Sequence, residues 1–530
     1  MRKIFLTVWA IMICLFSAAQ DDEILRAAVY LSGASTEEDA DESWIYRLES
    51  AGKIRVNSDR LRPGILTDYQ VASIKDYRAR SGDILSSEEL AMVDGFSHDA
   101  VEVLRPFLSF ESRRLPGQTD TSSVKASALV RTTLSTIGAK ARAEWKDYRA
   151  GAAWRGSDGT FYADLDTRAG RLVAGDMNLR YGSGLALWSG FSMESLSTVD
   201  AFIRRGGGIS PVWSYNSSLV HRGVAYEYSG THFGGAAFWC KNIYGAHAEY
   251  LWLHGKIGLT VTSKSISTEF DYNFRGTVIS AEAALRSGRA AGILSARRKG
   301  AAVQVRAISS AFSGRKYGEY ALAGGYAGAS ERRVALSGKS GFGSSVPFSQ
   351  YSVTVDAALL PIPQSDPRRL QIRAYGNLAL QLSPSWALAL RLTERYRNYE
   401  APRTDLRADV RYGSGPWIGV FRAEAVRCSD WGFLSYAEGG RKTEKSALYL
   451  RLSGFYTGSW NSRIYVYERD APGTFSVPAY SGRGLSASVV GSVKARIRRM
   501  TLKGNLRAAA VFRIGRTPAW TLNFQLHSGL

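Results

Sequence analysis

The stretch WALALRLTER (residues 386–395) alternates apolar and polar side chains, and this alternation sets the fold class of the chain. In an extended strand, Trp386, Leu388 and Leu390 point to one face, whereas Arg391 and Arg395 point to the other. Similar segments recur before and after this stretch, each with one apolar wall and one basic or small-residue wall. The arginines that we assign to the polar faces are Arg373, Arg391, Arg395, Arg407, Arg411, Arg507 and Arg513.

Segments of this kind fill residues 124–530, and we count roughly 20 to 26 of them, within the size range of outer-membrane barrels. Turn residues such as Ser481-Gly482 separate them. The pattern predicts a mainly β protein, a large transmembrane antiparallel β-barrel with its apolar side against outer-membrane lipid. A large secreted β-sandwich or solenoid is the alternative, although no repeat of the length that a solenoid needs is visible. Aromatic residues at segment ends, predicted to form interfacial girdles, include Trp213, Trp431 and Trp520.

The first residues have the form of an export signal. Arg2 and Lys3 precede an apolar run at residues 4–16, and the small residues Ser17, Ala18 and Ala19 follow it. We therefore predict a signal peptide at residues 1–19 and a place in the outer membrane of a Gram-negative bacterium. Only two cysteines remain after this segment, so a disulfide framework is not expected.

Charge is divided unevenly along the chain. Residues 21–115 carry 19 acidic and 12 basic side chains, a net charge of −7, although the whole chain has +21. Because Arg2 and Lys3 contribute +2, residues 116–530 carry +26. The strand-rich region is thus the basic one, and it favours polyanionic partners such as lipopolysaccharide phosphates, anionic solutes or nucleic acid.

Between the signal and the strands, the apolar spacing changes to that of helices. Residues 20–42 read as a short helix followed by an acidic linker, and residues 43–112 as a small all-α domain. Thr67 and Ser97 stand just ahead of two helical runs, where N-caps are expected. Residues 113–123 are polar and predict a linker to the barrel, and we expect the all-α domain to lie in the periplasm.

The segment IRVNSDRLRPGILTDYQVASIKDYRARSGDILSSEELAMVDGFSHDAVEVLRPFL (residues 54–108) resembles a tandem helix-hairpin-helix domain of the competence DNA-receptor (ComEA) type. The resemblance implies hairpin turns whose backbone N–H groups contact a DNA phosphate. Here the turns lack the family's paired glycines and the domain is acidic, which favours a structural or protein-binding role, for example with a periplasmic partner. The positions concerned are Ile65, Leu66 and Thr67, then Gly95, Phe96 and Ser97, with Arg78, Arg80 and Arg105 as basic side chains nearby.

Two further pieces, GDMNLRYGSGLALWSGF (residues 175–191) and RRGGGISPVWSYNSS (residues 204–218), resemble a family of uncharacterised outer-membrane proteins that also carry a helix-hairpin-helix domain. Residues 192–218 break the alternation and are too long for a barrel turn. They predict an internal loop or plug, with an external loop as the alternative. The cationic strip within this segment comprises Arg204, Arg205, Gly206, Gly207 and Gly208.

We find no sequence pattern that predicts catalysis. The six histidines show no metal-ligand spacing, and there is no Gly-x-Ser-x-Gly elbow. We expect no enzyme, no metal and no cofactor. Three hypotheses follow: a channel, transport or docking component that favours anionic solutes or polymers; a DNA-uptake protein that receives DNA through the hairpin domain; and a structural or assembly factor of the outer membrane.

Overall fold

The structure is a computed structural model. It describes residues 23–34, 37, 40–58, 61–62, 64–112, 124–167, 169–190, 196–218, 220–313, 319–331, 348–360, 369–443, 445–498 and 500–529. The predicted signal peptide (residues 1–19) and the predicted linker (residues 113–123) lie outside these residues. Among the described residues, no helix is both long and apolar enough to cross a membrane.

Among the described residues, five α-helices precede the barrel, and together with a short parallel strand pair they form what we call the helical domain (residues 23–112). Thr67 caps the third helix in a capping box with Gln70, and Ser97 caps the fifth, which confirms both predicted N-caps. A core of aliphatic side chains, among them Leu48, Ile74 and Leu90, holds the helices together. The helices are α1 (Glu23–Ser32), α2 (Glu42–Ser50), α3 (Asp68–Ser81), α4 (Ser87–Ala91) and α5 (His98–Leu104); the strands are β1 (Ile54–Arg55) and β2 (Leu108–Ser109).

The rest of the chain forms a closed barrel of 24 antiparallel strands, within the predicted range of strand numbers. The strands pair in sequence order, and the barrel closes where Asn523 of the last strand pairs with Thr133 of the first. The strands are β3 (Lys125–Thr133), β4 (Ile137–Trp145), β5 (Tyr148–Arg155), β6 (Asp158–Thr167), β7 (Gly170–Arg180), β8 (Gly208–Pro211), β9 (His221–Ser229), β10 (Phe233–Cys240), β11 (Ile243–Trp252), β12 (Gly255–Thr262), β13 (Ile266–Phe274), β14 (Thr277–Arg286), β15 (Arg289–Arg298), β16 (Ala301–Ile308), β17 (Glu319–Glu331), β18 (Phe348–Leu360), β19 (Arg369–Gln381), β20 (Trp386–Arg397), β21 (Glu400–Ser414), β22 (Trp417–Arg427), β23 (Trp431–Lys442), β24 (Ser446–Thr457), β25 (Ile464–Tyr465), β26 (Ala479–Tyr480), β27 (Arg483–Ile497), β28 (Met500–Arg513) and β29 (Ala519–Gly529), with the four-residue helix α6 (Ser310–Ser313) after β16.

Three of these strands lie outside the closed wall. β8 pairs only with the end of β7, which also pairs directly with β9, while β25 and β26 pair with each other. The wall strands run alternately up and down, so β3 begins and β29 ends at the same rim, which we call the terminal rim. The opposite rim is the distal rim. The two longest connections, at residues 181–220 and 458–482, both leave the distal rim, and we call them the first and second inner loops.

The outer wall is apolar and the inner wall is polar. Leu390 and Leu406 are 39% and 56% exposed on the outside, whereas Arg407 and Asp409 on the neighbouring inner positions are buried. An apolar surface of this extent is covered by lipid in a membrane barrel. The predicted mainly β, transmembrane antiparallel barrel is therefore confirmed.

The predicted aromatic girdle holds for some residues and fails for others. Trp431 and Trp520 are exposed on the outer wall near the distal rim. Trp213 is only 3% exposed and lies in the first inner loop, so its assignment to a girdle was wrong. The reason is that the described residues of this loop turn inward, so an aromatic residue there meets the lumen and not lipid.

Candidate functional site: a lumen filled from both rims

The first inner loop packs against the inner wall, and its backbone groups form hydrogen bonds with Arg180 at the end of β7. Arg180 Nε donates to Ser189 O at 2.9 Å, and Gly207 N donates to Arg180 O at 3.0 Å. The cationic strip lies next to the helical domain: Arg47 of α2 donates to Arg205 O (3.2 Å) and Gly206 O (3.1 Å). The strip therefore presents backbone oxygens to α2. Arg204 lies over the Trp188 ring and Arg205 over the Trp44 ring, and Gly208 has a positive φ of 58° beside Glu227.

The helical domain enters the lumen from the terminal rim and reaches the middle of the wall. There Glu49 at the end of α2 accepts from Lys140 Nζ of β4 at 2.8 Å, and both side chains are buried. Lys140 also donates to Trp213 O at 3.1 Å and stands over the Trp213 ring. The indole N–H of Trp213 in turn donates to the wall carbonyls of Ala141 and Ala152, each at 3.1 Å. Helical domain, first inner loop and wall therefore meet at one buried cluster.

Nearer the terminal rim, three basic side chains of the helical domain contact the wall. Arg55 Nη1 lies 2.8 Å from Asp147 Oδ1, in the turn between β4 and β5. Arg62 Nη2 lies 3.3 Å from Asp166 Oδ1, and Lys75 Nζ donates to Gly230 O at 3.0 Å. Because these contacts are spread over several strands, they fix the domain across the mouth of the barrel.

Lys256 on β12 is a second junction between helical domain and wall. Its ammonium lies 3.3 Å from Asp68 Oδ2 of α3, 3.1 Å from Glu269 Oε1 and 3.6 Å from Asp271 Oδ2. Burial raises the pKa of Asp68, and the charge of Lys256 opposes that rise. Asp68 therefore belongs to a buried cluster in which the carboxylates of Asp68, Glu269 and Asp271 surround the Lys256 ammonium.

His247, Glu249 and Glu269 offer ligand atoms within 4.8 Å of one another, in the manner of a metal centre. The Lys256 ammonium is at the same place, 3.1 Å from Glu269 and 4.0 Å from Glu249. His247 Nδ1 is within hydrogen-bond distance of Thr260 Oγ1, at 2.9 Å. A metal would have to displace the ammonium, so the cluster fits an ion-pair network better than a metal centre.

The second inner loop contacts both the wall and the helical domain. Tyr467 belongs to the hydrophobic core of the helical domain, and Phe475 and Val477 pack against that core. On the wall side, Arg131 Nη2 donates to Pro472 O at 3.3 Å, and Arg507 forms ion pairs with Glu468 and Asp470. The lumen is thus occupied by the helical domain from one rim and by two loops from the other.

The arginines that the sequence assigned to polar faces lie on the inner wall, and most of them already contact acceptors of the protein. Arg373 and Arg407 pair with wall carboxylates, and Arg411 and Arg507 with carboxylates of the helical domain and the second inner loop. Their contacts are Arg373 Nε–Asp356 Oδ2 2.7 Å, Arg391 Nε–Asn377 Oδ1 2.8 Å, Arg407 Nε–Asp409 Oδ2 2.7 Å, Arg411 Nη2–Glu37 Oε2 3.8 Å, Arg507 Nη1–Asp470 Oδ2 3.4 Å and Arg513 Nε–Ser481 O 3.3 Å.

The two predicted hairpin turns lie in different surroundings. Ile65 and Leu66 are buried, and Thr67 begins α3 beside the wall. Gly95 and Ser97 are exposed, between α4 and α5. The basic side chains do not form one patch: Arg78 pairs with Asp83 at 3.1 Å, Arg80 pairs with Asp76 at 2.7 Å, and Arg105 lies exposed after α5.

Sequence reasoning missed Lys140, Lys256 and Glu49 and misplaced Trp213, the residues that join the helical domain, the first inner loop and the wall. They are far apart in the chain and meet only when the sheet closes. Two features of the sequence indicated these contacts. The helical domain is acidic whereas the barrel is basic, and residues 192–218 break the strand alternation. Part of the negative charge of the helical domain is balanced by the wall, since Glu49 faces Lys140 and Asp68 faces Lys256.

Comparison with known proteins gives structural neighbours only. No family model matches the chain, and no curated protein matches it. The P pilus usher (PapC) translocation pore is similar with a TM-score of 0.34 and 8% identity, over 77% of this chain and 98% of that one. PapC in an E. coli pilus tip assembly intermediate (TM-score 0.44, 8% identity) covers 80% of this chain, which spans 63% of that one. Pseudomonas aeruginosa OpdK with vanillate has a TM-score of 0.30 and 11% identity, over 77% and 98% of the two chains.

The geometry of the chain defines its class. It is a large transmembrane β-barrel of the outer-membrane type, with 24 strands, an apolar outer wall and a polar inner wall. Within that class, it is one whose lumen holds its own N-terminal helices and two inward loops.

Proposed function

We propose that the protein is an outer-membrane channel whose lumen is closed by its helical domain. When the domain undocks from the wall, the channel admits anionic solutes or polymers. The observation that carries this proposal is the docking of the helical domain inside the barrel, where Glu49 pairs with Lys140 and Asp68 lies in the acid-rich cluster around Lys256. A domain docked at this place lies where a solute would have to pass.

The size of the barrel supports the proposal. Barrels of 16 to 18 strands leave an aqueous channel, and those of about 22 strands hold a plug. An empty barrel of 24 strands would be wider still. On this proposal, the helical domain and the two inner loops keep solutes from passing.

We further propose that the terminal rim faces the periplasm of a Gram-negative bacterium. Outer-membrane barrels have short periplasmic turns and longer external loops, and both inner loops leave the distal rim. This orientation brings the exposed face of α4 and α5 to the periplasm. That face combines Met92 (81% exposed) and Leu85 (50% exposed) with Glu88, Asp94 and Asp99, which suits a periplasmic protein with a basic and apolar surface.

Planar-bilayer recording of the full chain tests the proposal. We expect rare conductance steps for the native protein and frequent ones for Lys140→Glu, because two carboxylates would then face each other at a buried site. Adding Glu49→Lys in the same chain restores the opposite charges and should restore the closed state.

Equal, low conductance in all three proteins, with each one folded in the bilayer, would reject a channel role. It would favour the structural or assembly role in its place. Arg80→Gln is the matched control, because its ion pair with Asp76 is exposed on α3 and does not touch the wall.

A further inference from the structure

Three arginines stand directly opposite one another on the inner wall near the distal rim. Arg395 of β20 is the register partner of Arg373 on β19 and of Arg403 on β21. Directly opposed side chains in an antiparallel sheet are about 4.5–5.5 Å apart at Cβ, and like charges there are destabilising. A row of three arginines is thus a costly arrangement for a wall whose only role is to close a barrel.

Protein groups compensate the two outer members of this row. Arg373 Nε donates to Asp356 Oδ2 at 2.7 Å. Arg403 Nε donates to Asp405 Oδ1 at 2.9 Å, and its Nη1 donates to Asn461 O of the second inner loop at 2.8 Å. Arg395, in the middle, has no carboxylate within 4 Å among the residues that the structure describes. Its charge is therefore available to a ligand.

Arg395 borders a cavity of about 260 Å³ between the wall and the second inner loop. Five arginines line this cavity, because Arg397 and Arg463 join the row, and among the described residues of the lining Asp405 is the one carboxylate. The Arg397 guanidinium pairs with Glu400 at 2.8 Å, and Arg463 Nε donates to the hydroxyl of Tyr465. The cavity thus keeps an excess of positive charge after its internal pairs are formed.

Guanidinium groups present a planar fork of donors that matches carboxylate and phosphate oxygens, often in pairs of parallel hydrogen bonds. The volume is slightly below the range of about 300–1,000 Å³ for pockets that hold drug-sized ligands. We propose that this cavity, the arginine pocket, binds a small solute with at least two phosphate or carboxylate groups. This proposal rests on the proposed function in one respect: in a channel, the arginine pocket would be the first site that such a solute meets at the distal rim.

Isothermal titration of the full chain in detergent with pyrophosphate, with citrate and with acetate tests the arginine pocket. We expect measurable binding of pyrophosphate or citrate, and much weaker binding of acetate, which has a single charge. Arg395→Gln should weaken the binding at least tenfold. Arg395→Lys, which keeps the charge and loses the fork, should lie between the two.

Arg516→Gln is the matched control, since Arg516 is an exposed arginine in the turn between β28 and β29 at the same rim. It should bind as the native protein does. Binding that Arg395→Gln leaves unchanged, or no binding of either multivalent probe, would overturn the arginine pocket. Removing one of three opposed charges should not lower the thermal midpoint, so misfolding is separable from lost binding.

The channel proposal is judged by a different measurement. If the bilayer recordings show a gated channel while pyrophosphate and citrate fail to bind, the arginine-pocket proposal is rejected and the channel proposal is kept. If the probes bind and Arg395→Gln abolishes that binding, the arginine pocket stands even where no conductance is seen.

Discussion

The ammonium of Lys140 and the carboxylate of Glu49 lie 2.8 Å apart, one on the barrel wall and one at the end of α2, and both are buried. Each charge has lost most of its water, so each depends on the other. Trp213 covers the pair from the first inner loop. The Glu49–Lys140 contact is therefore present only when the helical domain is docked against the wall.

Glu49→Gln should weaken docking by about 3–5 kcal/mol, because it leaves the Lys140 charge buried without its carboxylate. The measurement is the urea concentration at which conductance steps first appear in a planar bilayer. Arg80→Gln, which breaks an exposed pair on α3, should change that concentration little, since exposed pairs contribute about 0.2–1 kcal/mol. An identical onset for Glu49→Gln and the native protein would contradict the prediction.

Docking should also depend on pH through Asp68. Burial raises the pKa of Asp68 above its ordinary value of 3.8 in the docked state. The docked form thus holds the proton more tightly, so this contribution to docking is complete at low pH and is lost as the pH rises from 3.8 through the raised pKa. We expect the open probability to increase over that window.

Asp68→Asn should flatten this pH dependence, because an amide does not titrate. Asp76→Asn, on the same helix but paired with Arg80 at the surface, is the control and should keep the native slope. If Asp68→Asn and the native protein give the same slope, another group controls the response.

Trp213→Ala should loosen the first inner loop. The change deletes a buried ring and the two hydrogen bonds to Ala141 O and Ala152 O. Removing a buried Trp costs about 3–5 kcal/mol. Thermal unfolding in detergent measures the loss, with Trp460→Ala as the control because that ring is 60% exposed. Equal thermal midpoints for the two variants would contradict the role given to Trp213.

The full chain should not bind duplex DNA through its hairpin turns. The first turn is buried, and two of the three arginines near the turns, Arg78 and Arg80, are paired with Asp83 and Asp76. Phosphate binding that rests on Lys and Arg falls steeply with salt. The measurement is filter binding at low and moderate salt. Strong binding that disappears with added salt would contradict this prediction and favour the DNA-uptake hypothesis.

The sequence predicted the wall well, because side-chain alternation is local and its period of two is unmistakable in stretches such as residues 386–395. It also predicted the caps Thr67 and Ser97 from local chemistry. It could not place the helical domain, since docking depends on side chains such as Glu49 and Lys140, which are 91 residues apart and meet only in the closed barrel. The arginine row has the same origin: Arg373, Arg395 and Arg403 align only through the register of three strands.

The strand number has a consequence for how this protein can change in evolution. A barrel grows by gaining hairpins, and each added hairpin widens the opening in a membrane that must remain a permeability barrier. An unfilled barrel of 24 strands would be wider than the 16- to 18-stranded barrels that leave an aqueous channel. Loss of the helical domain alone should therefore make the membrane more permeable.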